Sequence, residues 1–168
     1  MQGKVSILNV SPEAAAMIAS GGRISTMGGT AGEIYAKSLA AGQEKNEKLI
    51  GKVLSSGHTS VLEHCYVNLS FENVSVLAEQ FLIEFRLASF TVKSRRYVDF
   101  SKAGYVFPDF RDDAQRAIFE NTVQSLFRIY DALEAAGVPK EDARFVLPYC
   151  FCSNFFCSMN ARELVHVM

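Results

Sequence analysis

The sequence predicts an α+β fold with a mixed or antiparallel sheet and long helices. Segments with the two-residue period of strands occur among segments with helical spacing, and they do not follow the regular strand–helix–strand order of a doubly wound fold. The 168 residues and a hydrophobic content of 49% suit one domain, since single cores typically serve roughly 100 to 200 residues. We therefore expect residues 1–168 to form a single domain.

The first part of the chain is expected to alternate between strands and helix. "KVSILNV" is predicted to be a strand, and "GGRISTMGGTAG" to be a glycine-rich turn that can approach a ligand closely. Apolar spacing predicts a helix over residues 33–56, although its polar middle "GQEKNEK" interrupts that spacing. "CYVNLSF" alternates polar and apolar side chains, which is typical of a strand.

The central part of the chain is expected to be mainly helical. "VSVLAEQFLIEFRLASF" is apolar on most sides of a helix, which predicts a buried helix. The clearest helix covers residues 112–136, where apolar side chains recur at three- and four-residue steps, and Gly137 is a suitable stop. Pro139 can open the next short helix, "PKEDARFVL", because its missing N–H is not needed at the first helical position.

The last part is expected to contain one long strand and one final helix. "YCFCSNFFCSM" is predicted to be the strand. "NARELVHVM" begins a helix with Asn160 as its N-cap and Glu163 three residues later, close to a capping box.

Charge and cysteine usage restrict the function class. The 17 basic and 18 acidic side chains leave a formal net charge of -1, so no charge bias indicates nucleic acid or an acidic membrane surface. The N-terminal apolar stretches are shorter than a signal peptide core or the ~20 residues of a membrane span, and we expect a cytoplasmic protein. In that reducing compartment a disulfide framework is not expected, and the cysteines are interpreted as buried. They are Cys65, Cys150, Cys152 and Cys157.

An apolar segment is followed closely by a cluster of arginines and serines. "EFRLASFTVKSRRY" contains Arg86, Ser89, Ser94, Arg95 and Arg96. Neighbouring guanidinium groups repel each other, and their forked donors match the oxygens of a phosphate. We interpret the cluster as an anion site, with a solvated basic turn as the alternative.

A second polar group lies in "GHTSVLEH", which contains His58, Ser60, Glu63 and His64. Two histidines and a carboxylate are common zinc ligands, but this spacing matches no standard metal motif, and capping or core roles for the histidines are commoner. Elsewhere, Arg144 and Arg162 each fit either an anion contact or a surface salt bridge. No arrangement typical of a nucleophilic triad is present in the sequence.

Four stretches in order, "GHTSVLEH", "FRLASFTVKSRRY", "GVPKEDARFVLP" and "NARELV", resemble the flavin-dependent thymidylate synthases, along the amino-terminal part of that family. The family signature reads approximately R-H-R-x-x-S-x-N-E-x-S-x-R-Y. Laid on this chain from Glu84, its matching positions are Arg86, Ser89, Ser94, Arg96 and Tyr97. Its differing positions are Glu84, Phe85, Thr91 and Val92.

The resemblance implies a mixed α/β flavoprotein, usually a homotetramer, that methylates dUMP to dTMP. Methylenetetrahydrofolate would supply the carbon, reduced FAD the hydride, and NADPH would reduce the flavin. By position, the residues that would bind dUMP are Ser94, Arg95, Arg96 and Arg144. The residues that would bind FAD are Ser25, His58, Ser60, Glu63, Arg86, Asn160 and Arg162.

The departures from the signature suggest an alternative function. Glu84 and Phe85 stand where the family has an arginine and a histidine that contact flavin or nucleotide, so we expect weakened FAD binding. The chain also ends before the family's last characteristic segment. The alternative is therefore a catalytically deficient paralogue that acts as a nucleotide-binding or partner subunit. An unrelated metalloenzyme built on His58, Glu63 and His64 is a third reading.

Overall fold

The computed structural model describes residues 2–168 and contains a four-stranded sheet in the order β1-β2-β4-β3. The strands are β1 (Lys4–Val10), β2 (Tyr66–Ser75), β3 (Ala88–Val92) and β4 (Cys152–Asn160). Strands β2 and β4 run antiparallel: the Ser158 hydroxyl bonds the Asn68 side chain, whereas the Asn154 side chain accepts from the backbone N–H of Asn73.

Seven α-helices and two short 3-10 helices complete the described residues. The α-helices are α1 (Ala14–Ile24), α2 (Ala31–Ala41), α3 (Gln43–Ser55), α4 (Val76–Leu82), α5 (Asp113–Ala135), α6 (Lys140–Ala143) and α7 (Ala161–Val167). The 3-10 helices cover Thr59–His64 and Arg144–Val146. Within residues 2–168, every helix is too short or too polar to span a bilayer.

The chain divides into two compact units. The first contains the segment that ends at Ser6 together with Ser70–Glu84 and Phe90–Phe156, and the second contains Ile7–Leu69, Phe85–Ser89 and Cys157–Met168. The expectation of one domain stays a prediction.

Helix α5 provides much of the core of the first unit. Its side chains Val123, Phe127 and Tyr130 are buried at helical spacing, and the first two pack with Phe100 and Phe151. Burying each large side chain contributes roughly 1.5–3 kcal/mol. The helix begins where the Asp112 side chain accepts the backbone N–H of Gln115 at 2.8 Å, as an N-cap requires.

A buried polar network joins the helices of the second unit. On α1, the Arg23 guanidinium donates from one nitrogen to Ser38 Oγ of α2 and to Asn46 Oδ1 of α3, each at 2.7 Å. The Ser20 hydroxyl donates to Ser38 at 2.9 Å. These bonds satisfy polar groups that would be costly to bury alone, and they fix the packing of the three helices.

Several predicted elements are confirmed, among them β1, β2, β4, α5 and α7. The glycine-rich turn is wrong in its first part, because α1 continues through Gly21 and Gly22 to Ile24. Close packing explains those glycines, since a Cβ at Gly22 would lie 3.0 Å from Val53 Cγ2. The helix over residues 33–56 is interrupted at Gly42, whose φ of 78° suits glycine.

The long buried helix predicted after β2 is also wrong. Helix α4 ends at Leu82, and the following Ala88–Val92 forms β3, consistent with the preference of β-branched and aromatic residues for strands. Helix α4 is also less buried than predicted, because its Leu77 and Phe81 are 64% and 66% exposed. The short helix after Pro139 is confirmed, although Pro139 is its N-cap rather than its first residue and the second half is a 3-10 turn.

Candidate functional site

A cavity of 360 Å³ in the first unit, which we call the arginine cavity, contains two of the predicted nucleotide-binding residues. Arg95 follows β3, and Arg144 begins the 3-10 turn after α6, so distant parts of the sequence supply the two guanidinium groups. The residues that line the cavity are Val76, Gln80, Arg95, Arg144, Phe145, Leu147, Tyr149 and Phe151. Two cations beside aromatic walls suit an anionic, ring-bearing ligand.

The Arg95 side chain forms an ion pair with a buried carboxylate, that of Glu79. Its Nη2 donates to Glu79 Oε1 at 2.6 Å, and Glu79 is 1% exposed. The guanidinium also lies over the Phe151 ring, with 5.3 Å between its carbon and the ring centroid. Its buried Nε has no hydrogen-bond partner among residues 2–168. An unsatisfied buried donor typically costs about 1–3 kcal/mol, and this atom is too enclosed for a ligand to reach without movement of the side chain.

Glu141 binds the other two predicted arginines. Arg144 Nε donates to the Glu141 backbone carbonyl at 2.9 Å. Arg96 Nε donates to Glu141 Oε2 at 2.8 Å, with the two side chains 59% and 47% exposed. The Ser94 hydroxyl accepts the backbone N–H of Arg96 at 3.3 Å. Neither Ser94 nor Arg96 lines the arginine cavity.

A second cavity, of 480 Å³ and within the second unit, contains three of the predicted flavin-binding residues. Its lining residues are Gly21, Gly22, Ser25, Thr26, Lys52, Val53, Ser56, His58, Ser60 and Val61. We call it the hydroxyl cavity. Among the described residues, no carboxylate lines this cavity, and the lysine that lines it is Lys52. The sequence prediction included Ser25, His58 and Ser60 but missed Lys52, which stands in the last turn of α3.

Helix ends position the side chains of the hydroxyl cavity. Ser25 follows α1 and donates to the Gly22 carbonyl at 3.2 Å, and Ser56 follows α3 and donates to the Lys52 carbonyl at 3.0 Å. These bonds satisfy carbonyl groups that a helix C-terminus leaves unpaired. The backbone N–H of His58 donates to the Val53 carbonyl at 3.2 Å, which fixes the turn that carries the imidazole.

The other predicted flavin-binding residues lie outside the lining of the hydroxyl cavity. Glu63 and Arg162 form an ion pair between the Thr59–His64 turn and α7. The buried Asn160 caps α7, since its side chain accepts the backbone N–H of Glu163 at 2.9 Å. Arg86 is exposed. These contacts give Glu63, Asn160 and Arg162 structural partners within the second unit.

The cysteines have the properties of core residues. All four are free thiols, and Cys65, Cys152 and Cys157 are buried. Burial raises the pKa of the Cys157 thiol to about 11, and burial also raises the pKa values of Cys65, Cys150 and Cys152. They therefore remain protonated at neutral pH, which a cysteine nucleophile would not. Within residues 2–168, no group of three or more His, Cys, Asp or Glu side chains is arranged to hold a metal ion.

A sequence profile of the family described as thymidylate synthase complementing protein matches residues 6–168. The chain belongs to this family. A flavin-dependent thymidylate synthase of Geobacter sulfurreducens is 40% identical over 121 residues, which cover 70% of this chain and 52% of the relative. One of Nitratidesulfovibrio vulgaris is 37% identical over 134 residues, covering 74% and 55%. The chain thus spans about half the length of these curated relatives.

A solved structure also has this fold. It is a UMP/dUMP methylase, PolB from Streptomyces cacaoi, bound with 5-Br dUMP. The TM-score is 0.79 at 25% sequence identity, and the match covers 98% of this chain and 76% of that protein. The predicted α+β class and the resemblance to flavin-dependent thymidylate synthases are therefore confirmed.

The residues that depart from the family signature occupy different environments. Glu84 is exposed, and the Phe85 ring packs edge-on against His166 with 6.0 Å between the centroids. Thr91 and Val92 instead line an apolar cavity of 400 Å³ in the first unit, together with Phe71 and others. At an exposed position, a reversed charge acts through solvent and its effect is reduced.

Proposed function

We propose that this protein is a flavin-dependent thymidylate synthase that reductively methylates dUMP to dTMP. Methylenetetrahydrofolate is the carbon donor, and NADPH is the reductant of the cofactor. The observation that carries the proposal is that Arg95 and Arg144 line the same cavity. The family resemblance assigned both residues to the nucleotide, although they lie in separate segments of the chain. The names of the similar proteins support the same activity.

The arginine cavity is the proposed dUMP site. Its two guanidinium groups suit a phosphate, since each offers a planar fork of donors. Phe145 and Tyr149 are 80% and 66% exposed and offer apolar surface to the rest of the nucleotide. Glu141 holds Arg144 through its carbonyl and Arg96 through its carboxylate. Ser94 and Arg96 would join the site by exchanging their present contacts for the ligand.

The hydroxyl cavity is the proposed site for part of FAD. The fit follows from its donors: the side chains of Lys52, His58 and Ser60 make no hydrogen bond within residues 2–168, and no lining carboxylate repels a diphosphate. Ser25 adds a hydroxyl oxygen. We include Glu63, Arg86, Asn160 and Arg162 as further flavin contacts. When bound and reduced, FAD supplies the hydride for the methyl group.

We also propose that the protein assembles as a homotetramer in the cytoplasm. The observation that supports assembly is strand β1, an edge of the sheet whose Val5, Ile7 and Leu8 are 54%, 65% and 55% exposed. An exposed apolar edge strand is a surface that another chain commonly covers. Light scattering at micromolar concentration measures the assembly, and a stable monomer would contradict it.

The activity is tested by incubating the protein with FAD, NADPH, methylenetetrahydrofolate and dUMP, with UMP in a parallel reaction. Chromatography should detect dTMP from dUMP, and Arg144→Ala should reduce its formation. A protein that binds both dUMP and FAD but forms no dTMP would disprove catalysis and favour the nucleotide-binding paralogue. Methylation of UMP instead would replace the proposed substrate.

A further inference from the structure

A buried carboxylate, Glu79 of α4, lies behind the arginine cavity. Glu79 is 1% exposed and does not line the cavity, whereas the Arg95 side chain that it contacts is 19% exposed and does. The polar contacts of Glu79 are an Arg95 Nη2 donor at 2.6 Å, a Gln80 Nε2 donor at 3.1 Å and the hydroxyl of Ser153. Neither the signature nor the family resemblance assigns Glu79 a role.

Stability alone is a weak explanation for this pair. Removing two charges from water carries a desolvation penalty that can exceed their attraction, and apolar replacements of buried pairs are often neutral or stabilising. The pair nevertheless stands at the wall of the cavity that holds Arg144. A buried ion pair at the wall of a cavity is explained if one partner, here Glu79, orients the other, Arg95.

The contacts of Glu79 fix Arg95 in one direction. Ser153 of β4 is 0% exposed and holds one carboxylate oxygen, while Arg95 and Gln80 share the other. A free arginine has many rotamers, whose loss on binding a ligand reduces affinity. The ion pair with Glu79 uses Nη2 of Arg95 and leaves Nε without a hydrogen-bond partner among the described residues. Arg95 is thus ordered before a ligand arrives, and its Nη1 makes no hydrogen bond within residues 2–168 that a ligand would have to displace.

We propose that Glu79 is a positioning residue for nucleotide binding, which acts through Arg95 and is itself oriented by Ser153. This inference rests on the proposed dUMP site. The direction of the effect distinguishes positioning from simple charge compensation. If Glu79 only neutralised Arg95, then Glu79→Gln would raise the net positive charge and strengthen anion binding. Positioning predicts weaker binding, because the amide makes a weaker bond to the guanidinium than the carboxylate does.

The test is a double-mutant cycle with dUMP titrated calorimetrically into the wild type, Glu79→Gln, Arg95→Ala and the double variant. Glu79→Gln should weaken binding about fivefold to tenfold when Arg95 is present and less than about twofold when it is absent. The matched control is Glu134→Gln. It removes the 2.9 Å ion pair to Lys140 in the same unit, and Glu134 does not line the cavity. Its dUMP affinity should equal that of the wild type.

Ser153→Ala gives a second measurement if Glu79→Gln does not fold, as circular dichroism would reveal. Loss of one hydrogen bond to Glu79 should weaken dUMP binding about twofold to threefold, again only with Arg95 present. Unchanged or tighter binding in the folded variants, or an equal loss in both Arg95 backgrounds, would overturn the inference. If the wild type binds no dUMP, the proposed dUMP site is overturned as well. If the wild type binds dUMP but the effect of Glu79→Gln does not depend on Arg95, this inference alone is overturned.

Discussion

The arginine cavity and the hydroxyl cavity, which we propose bind dUMP and FAD, hold their polar groups in different ways. In the arginine cavity Arg95 already contacts a carboxylate, and Arg144 contacts a backbone carbonyl. In the hydroxyl cavity Lys52 has no ion pair within the described residues, and helix-end hydroxyls bond their own backbone. The first cavity is organised by charged side chains and the second by helix termini. Substitutions of charge should therefore affect the first more strongly.

The largest effect expected from this comparison concerns Arg144. Arg144→Ala should weaken dUMP binding by roughly 1.5–3 kcal/mol, because a charged hydrogen bond in a partly enclosed cavity is lost. Arg96→Ala should cost less than about 1 kcal/mol, since Arg96 lies outside the cavity lining and must give up its pair with Glu141 to contact the ligand. Calorimetric titration of both variants measures the difference. A loss in Arg96→Ala as large as in Arg144→Ala would place the phosphate outside the arginine cavity.

A smaller effect is expected in the hydroxyl cavity. Lys52→Ala and Ser60→Ala should each weaken FAD binding by about 1 kcal/mol, the usual contribution of one hydrogen bond. Ser56→Ala is the matched control from the same cavity. Its hydroxyl already donates to the Lys52 carbonyl, so FAD affinity should change little. Fluorescence quenching of FAD gives the affinities, and a loss in Ser56→Ala equal to the other two would show that the cavity wall, rather than its free donors, was disturbed.

The smallest expected effect concerns the departures from the family signature. Glu84→Arg with Phe85→His should strengthen FAD binding by roughly twofold to fivefold, because a charge at an exposed position is screened by solvent. The same FAD titration checks it. No gain, or tight FAD binding by the wild type, would indicate that these two positions lie outside the flavin contact.

Much of the fold could be predicted because its signals are local. The spacing of Val123, Phe127 and Tyr130 is the buried face of α5, and the sequence around Asn160 marks the start of α7. The errors arose where tertiary packing decides. Gly21 and Gly22 suggest a turn by composition, but they remain helical, and their missing side chains let α1 pack closely against its neighbours.

The candidate site was predictable only in part, for a related reason. The family resemblance assigned Arg95 and Arg144 to the nucleotide, and both line one cavity. Glu79 and Lys52 were missed because an isolated glutamate or lysine within a helix is usually a solvated side chain, and the sequence contains no signal for the burial of Glu79. Its partner Ser153 lies 74 positions away along the chain, so only the folded structure brings the two together.

The central claim is that the two cavities bind different ligands, and a crossed titration tests it most directly. FAD and dUMP are each titrated into the wild type, Arg144→Ala and the double variant Lys52→Ala with Ser60→Ala. The account predicts that Arg144→Ala loses at least about tenfold in dUMP affinity while FAD affinity stays within about twofold, and that the double variant shows the reverse pattern. Equal losses of both ligands in both variants, or losses in neither, would contradict it.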